Sequence, residues 1–144
     1  MAVKVEVSEV IEKPVAEVFR VHAREHVRHH PRWDPLMQLE QMTDGPIGVG
    51  TIIKRINSHS GSPVEGRMEV TEFEPNRSIG MIVHDGLVQM ITRAVYEAAG
   101  DDKTNVTLSL EIPDMGETMT IMLASEMEKV AHTIKQFIES EVNE

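Results

Sequence analysis

The sequence predicts an α+β fold, a curved antiparallel sheet of about seven strands wrapped around one long C-terminal helix, with two short helices after the first strand. Three observations predict it. Apolar and polar residues alternate in short runs through most of the chain, as they do in half-buried strands. Turn-forming Gly, Pro, Asn and Asp separate these runs, which suits an antiparallel meander. After Pro113 the period changes. Met119, Leu123, Met127, Val130, Ile134 and Phe137 recur every three or four residues, marking an amphipathic helix from Thr118 to Val142. A meander needs its apolar face covered, and no other segment offers a long apolar helical face.

The elements follow in order. Val3, Val5 and Val7 alternate with Lys4, Glu6 and Ser8, giving a strand. The alternation slips at Val10 and Ile11, where a bulge or the strand end is expected. Pro14 suits the first turn of a helix running to Val21, with Val15, Val18 and Phe19 on one face. Ala23 to His30 forms a second helix, ended by Pro31 and Pro35. Strands are expected over Leu36–Met42, Thr51–Arg55, Val64–Phe73, Ile79–Val83, Leu87–Ala98 and Val106–Ile112. Asp85-Gly86 between two of them is a strong hairpin signal.

Composition narrows the function. The 144 residues suit one domain spanning 1–144, with no repeat or linker. There are no cysteines, so disulfides and thiolate metal sites are excluded. No apolar run is long enough to span a membrane, and the N-terminus lacks a signal-like segment; a cytoplasmic location is expected. The formal net charge of −10 repels phosphate backbones and argues against nucleic acid as a partner. Four Arg and four His between Arg20 and Arg32 form a local basic island. It reads as a solvated helix face or as a docking surface. The ten methionines suit a pliable pocket, or act as core filler.

Several local patterns point to a family. Phe19 lies in the first helix, and Trp33-Asp34-Pro35 precedes the second strand. Val70-Thr71-Glu72-Phe73-Glu74-Pro75 forms a strand–turn segment. Tyr96, then Gly100-Asp101, then Val106-Thr107-Leu108 form the last hairpin. Together they resemble the START/Bet v 1-like superfamily (SRPBCC), in its polyketide cyclase/dehydrase-like branch, over nearly the whole chain. That resemblance implies a helix-grip fold around an apolar cavity. The implied occupant is a small hydrophobic molecule of polyketide-like, isoprenoid or lipid type. Members include carriers, receptors and aromatase/cyclases, so the resemblance implies a cavity and leaves the activity open.

A cavity between the sheet and the first half of the last helix is expected to be lined by Trp33, Met68, Val70, Met90, Thr92, Tyr96, Leu108, Leu110, Met119, Met122 and Leu123. A tightly packed interior is the alternative. Candidate acid–base groups for a cyclase, aromatase or dehydratase are Tyr96, His84 and Arg93. Strand alternation sets Thr92 and Tyr96 on the more apolar face and Gln89 and Arg93 on the other. Arg93 therefore faces solvent, or, if turned inward, anchors a carboxylate. His22 and His26 are the candidate metal ligands, but they match no metal motif, and the expected helix break weakens their i, i+4 pairing. No cofactor is expected. A homodimer and a regulatory or toxin-like interaction module both stay open.

Overall fold

A computed structural model describes residues 3–113 and 120–140. Strand β1 (Val3–Ile11) is followed by α1 (Val15–Phe19), a π-helical turn (Arg20–Arg24) and α2 (His26–Trp33). Six strands come next: β2 (Met37–Gln41), β3 (Ile52–Asn57), β4 (Val64–Glu74), β5 (Ser78–Asp85), β6 (Val88–Ala98) and β7 (Thr104–Ile112). Helix α3 (Thr120–Ser140) completes the described chain. All pairings are antiparallel, in the order β1-β7-β6-β5-β4-β3-β2. The sheet is thus a meander whose first strand returns beside the last. This is the helix-grip arrangement.

Alternation decides which side chains enter the core. In β1, Val3, Val5, Val7 and Ile11 are buried while Lys4, Glu6, Ser8 and Val10 are exposed. The register against β7 is regular from Val3–Ile112 to Ile11–Thr104, so the slip at Val10 is the end of the strand and no bulge forms there. A bulge falls instead in β4, between Val70 and Glu72. Helix α3 lies chiefly over β1, where Ala131 packs with Val3, Val5 and Val7. Ile134 and Ile138 pack with Ile11, Val18 and Val21, joining α3 to α1 and the π-turn. Phe19 is fully buried and meets Phe73 and Tyr96 edge-on, each at 5.2 Å between ring centroids.

The two short helices differ from expectation in a way that matters for the site. The expected break near His22 is absent. The chain stays helical through the π-turn, where the Glu25 amide donates to the Arg20 carbonyl across five residues. The junction falls at Glu25 itself. Pro31 does not end α2, which continues to Trp33. Its ring holds φ near the helical value and forfeits one backbone bond, and the Asp34 amide still closes the last turn onto the His30 carbonyl. No helix among the described residues is long and apolar enough to cross a membrane.

Candidate functional site

The first helical segment lays His22, His26 and His30 along one wall of the space between sheet and α3. Residues four apart share a helical face, and the ring contacts show that the junction does not take His22 out of line. His22 and His26 meet edge-on at 5.8 Å between centroids, and His26 and His30 at 4.7 Å. Trp33 stacks on both His22 and His30, at 5.6 and 5.1 Å. Behind the wall Phe137 of α3 supports Trp33 edge-on.

Hydrogen bonds fix the protons on this wall. His26 Nδ1 lies 2.8 Å from the His22 carbonyl oxygen, which can only accept, so His26 carries its proton on Nδ1. Its Nε2 is then an acceptor, and His30 Nδ1 donates to it at 3.0 Å. A neutral His30 is left with a bare Nε2. His22 Nδ1 pairs with the Tyr96 hydroxyl from β6. Tyr96 is 3% exposed, and His22 is the one partner of its hydroxyl among the described residues, so its O–H donates to His22 Nδ1 and the His22 proton sits on Nε2.

The environment keeps these groups neutral. Burial, with a smaller push from His26, lowers the His22 pKa to about 3. Burial also dominates at His26; its bond to the His22 carbonyl opposes the shift, nearby Arg55 adds to it, and the result is about 4. His30 is held well below its ordinary value by burial, then by His26 and Arg55. Burial raises the Tyr96 phenol well above its usual range. At neutral pH the wall is an array of uncharged donors and acceptors.

Arg55 of β3 adds a buried charge. Its Nε and Nη2 donate to the two Asp85 carboxylate oxygens at 2.7 and 2.6 Å, and Asn57 adds a third bond to Asp85 at 3.0 Å. Burial opposes ionisation of Asp85, but the bonds from Arg55 and Asn57 outweigh it and hold its pKa below the ordinary value. Between these walls lies a partly open cavity of about 210 Å³. Met68, Met81 and Val83 contribute from the sheet, and Met127, Val130 and Ile134 from α3.

Trp33, Met68, Thr92, Leu108 and Leu110 line this cavity. Val70 and Met90 sit in the packed core instead, and Tyr96 stands one layer back, reaching the cavity through His22. On α3, Met122 is 52% exposed and Leu123 packs over the β1 valines, so neither lines the cavity. Met119 lies outside the described residues. The helix meets the cavity at Met127, Val130 and Ile134, while Leu123, Ala124 and Ala131 on its neighbouring face pack over the edge strand β1.

His84 is not a cavity group. It alternates with the inward Met81, Val83 and Asp85 and so lies on the outer face of β5. Arg93 borders the cavity, but its guanidinium grips Glu72 through two bonds of 2.9 Å. Among the described residues no group of three or more His, Cys, Asp or Glu is placed to hold a metal ion, and His22 and His26 gain no third ligand of that kind.

The basic island is largely tied down within the fold. Arg20 and Arg28 pair with Glu25, Arg24 lies over Phe19 and Phe73, and Arg32 lies over Phe137 and donates to His29. His29 is itself 1% exposed and bonds Glu25 at 2.8 Å. The Arg55–Asp85 pair and the neutral histidine wall are the features that sequence reasoning missed. The spacing of four among His22, His26 and His30 was the available signal for the wall. For the pair it was an arginine at an inward strand position, two residues after Ile53.

No protein-family model matches the sequence, and no curated protein matches it. Solved structures do. Ara h 8.0201 superposes with a TM-score of 0.78 at 13% identity, over 98% of this chain and 100% of that one. Zhui aromatase/cyclase from Streptomyces sp. R1128 gives 0.77 at 14%, over 99% and 97%. Norcoclaurine synthase from Thalictrum flavum, in complex with dopamine and hydroxybenzaldehyde, gives 0.74 at 16%, over 100% and 90%. The chain has the START/Bet v 1-like fold, in the form shared with polyketide aromatase/cyclases. At these identities the likeness is one of fold.

Proposed function

We propose that this protein binds a small, largely apolar molecule in the cavity between the sheet and α3. The observation that carries the proposal is the cavity of about 210 Å³, walled by methionine and aliphatic side chains and by Trp33 with its histidines. An apolar cavity of about 150 Å³ accommodates benzene, so this one suits a single substituted ring or a short branched chain. Burial of apolar surface supplies the affinity at about 25 cal/mol per Å², and the histidine nitrogens set orientation. Proteins of this fold include ligand binders and cyclases, which supports the reading.

Trp33 is the sole tryptophan and lines the cavity, so it reports occupancy directly. Titration with ethylbenzene is expected to change its fluorescence saturably. Thr92→Phe, which fills the cavity from β6, is expected to abolish the response while the far-UV circular dichroism stays native. No saturable response in the wild type would overturn the proposal.

The histidine wall also favours a second reading, a cyclase-, aromatase- or dehydratase-type enzyme. His30 Nε2, bare and unprotonated at neutral pH, is the one nitrogen of the wall that could accept a proton from a bound substrate. That reading predicts turnover of a polyketide-like substrate that falls in His30→Gln by more than binding does.

A further inference from the structure

We infer that the cavity's ligand is an uncharged aromatic molecule bearing a hydroxyl, which donates its hydrogen bond to His30 Nε2. This rests on the cavity-binding reading above and deepens it. The first support is the direction of the hydrogen-bond chain. A carbonyl at one end dictates the proton on His26 Nδ1, that dictates the proton on His30 Nδ1, and His30 Nε2 is left as an acceptor with no partner among the described residues. Among the described residues no buried side-chain nitrogen or oxygen lacks a hydrogen bond, so this nitrogen is open to space rather than sealed in the core. His30 lines the cavity, and a ligand donor there completes the chain.

The second support comes from His22, 8% exposed and also lining the cavity. With Nδ1 taken by Tyr96, its Nε2–H is a donor with no partner among the described residues. The wall therefore offers one donor and one acceptor and carries no fixed charge.

The third support is electrostatic. Two arginines border the cavity, and each already holds a carboxylate through two bonds, Arg55 with Asp85 and Arg93 with Glu72. Among the described residues no uncompensated cation lines the cavity to receive a carboxylate or phosphate. An anion entering would lose its water and find no counterion, which disfavours it against a neutral ligand. An ammonium meets the same difficulty, since the Asp85 charge is already paired with Arg55 and bonded by Asn57. Aromatic character follows from Trp33, whose ring forms the wall together with those of His22 and His30.

Calorimetric titration of the full chain with 4-ethylphenol, ethylbenzene and 4-ethylbenzoate at about pH 7.5 separates the possibilities; the phenol is neutral there and the benzoate is ionised. The phenol is expected to bind roughly three- to tenfold more tightly than ethylbenzene, the span of one net hydrogen bond. The benzoate is expected to bind at least about a hundredfold more weakly than the phenol. In His30→Leu the phenol's advantage over ethylbenzene is expected to vanish, while ethylbenzene affinity holds. His30→Gln, which keeps a side-chain acceptor, is expected to restore part of it. Benzoate binding as tight as phenol, or a phenol advantage that survives in His30→Leu, overturns this inference and leaves the cavity reading standing. Absence of binding by all three overturns both.

Discussion

Acidification to about pH 5 should weaken the fold by an amount traceable to single histidines. In the unfolded chain a histidine titrates near 6.5. In the folded protein burial lowers His22 to about 3 and His26 to about 4. Both stay neutral in the fold while the unfolded chain takes up protons. Their contribution is therefore complete above about 6.5 and is lost as the pH falls toward the folded values. From about pH 7.5 to about pH 5 each loses roughly 2 kcal/mol, at 1.36 kcal/mol per unit, so the two together lose about 4. That is a large share of the roughly 5–15 kcal/mol that holds a domain of this kind together. His30 shifts in the same direction and adds to the loss.

Other charges act differently over this range. Glu25, Glu72, Asp85 and Glu139 have lowered pKa values, so their stabilisation is lost only below the ordinary carboxylate range, and by pH 5 they cost a few tenths of a kcal/mol at most. The net charge of −10 relaxes on acidification, which stabilises and partly offsets the drop. Comparison with His26→Gln removes that common effect. Urea unfolding followed by Trp33 fluorescence and far-UV circular dichroism, at both pH values, should show a loss smaller by about 2 kcal/mol in the variant. An equal loss in wild type and variant would mean that His26 titrates normally in the fold, and the neutral wall would be refuted.

Three further outcomes are expected. Arg55→Leu strands the Asp85 carboxylate with Asn57 as its remaining side-chain partner and should cost about 3–5 kcal/mol in urea unfolding, while Arg55→Leu with Asp85→Leu should recover most of it. Tyr96→Phe keeps the ring packed on Phe19 but leaves His22 Nδ1 buried without a donor, so the melt should reveal a loss of about 1–3 kcal/mol. Gly66→Ala would put a Cβ 1.8 Å from the His84 carbonyl oxygen, so β4 and β5 could not keep their pairing; Gly48→Ala meets no atom within 4 Å and should melt like the wild type.

The architecture was legible because it depends on local period. Alternation in β1 and in Val106–Ile112, the Asp85-Gly86 turn and the stripe on α3 each act within a few residues. The positive φ of 59° at Gly86 is what a tight hairpin turn demands. Cavity membership depends instead on how α3 is placed over the sheet. Leu123 and Met127 share one stripe and both pack on the β1 valines, yet Met127 also lines the cavity and Leu123 does not. No periodicity distinguishes them. The histidines were misjudged for a local reason. A break expected near His22 hid their common face, and the π-turn removes that break. Arg55 was placed on its strand correctly, but its partner Asp85 looked like turn chemistry, thirty residues away.

The most direct test of the cavity as a binding site is native mass spectrometry of freshly purified protein beside a denatured control. An additional neutral small-molecule mass is expected on the folded chain, released on denaturation and absent from Thr92→Phe. A folded wild type that carries no such mass, and that takes up neither ethylbenzene nor 4-ethylphenol when these are supplied, would contradict a binding role for the cavity.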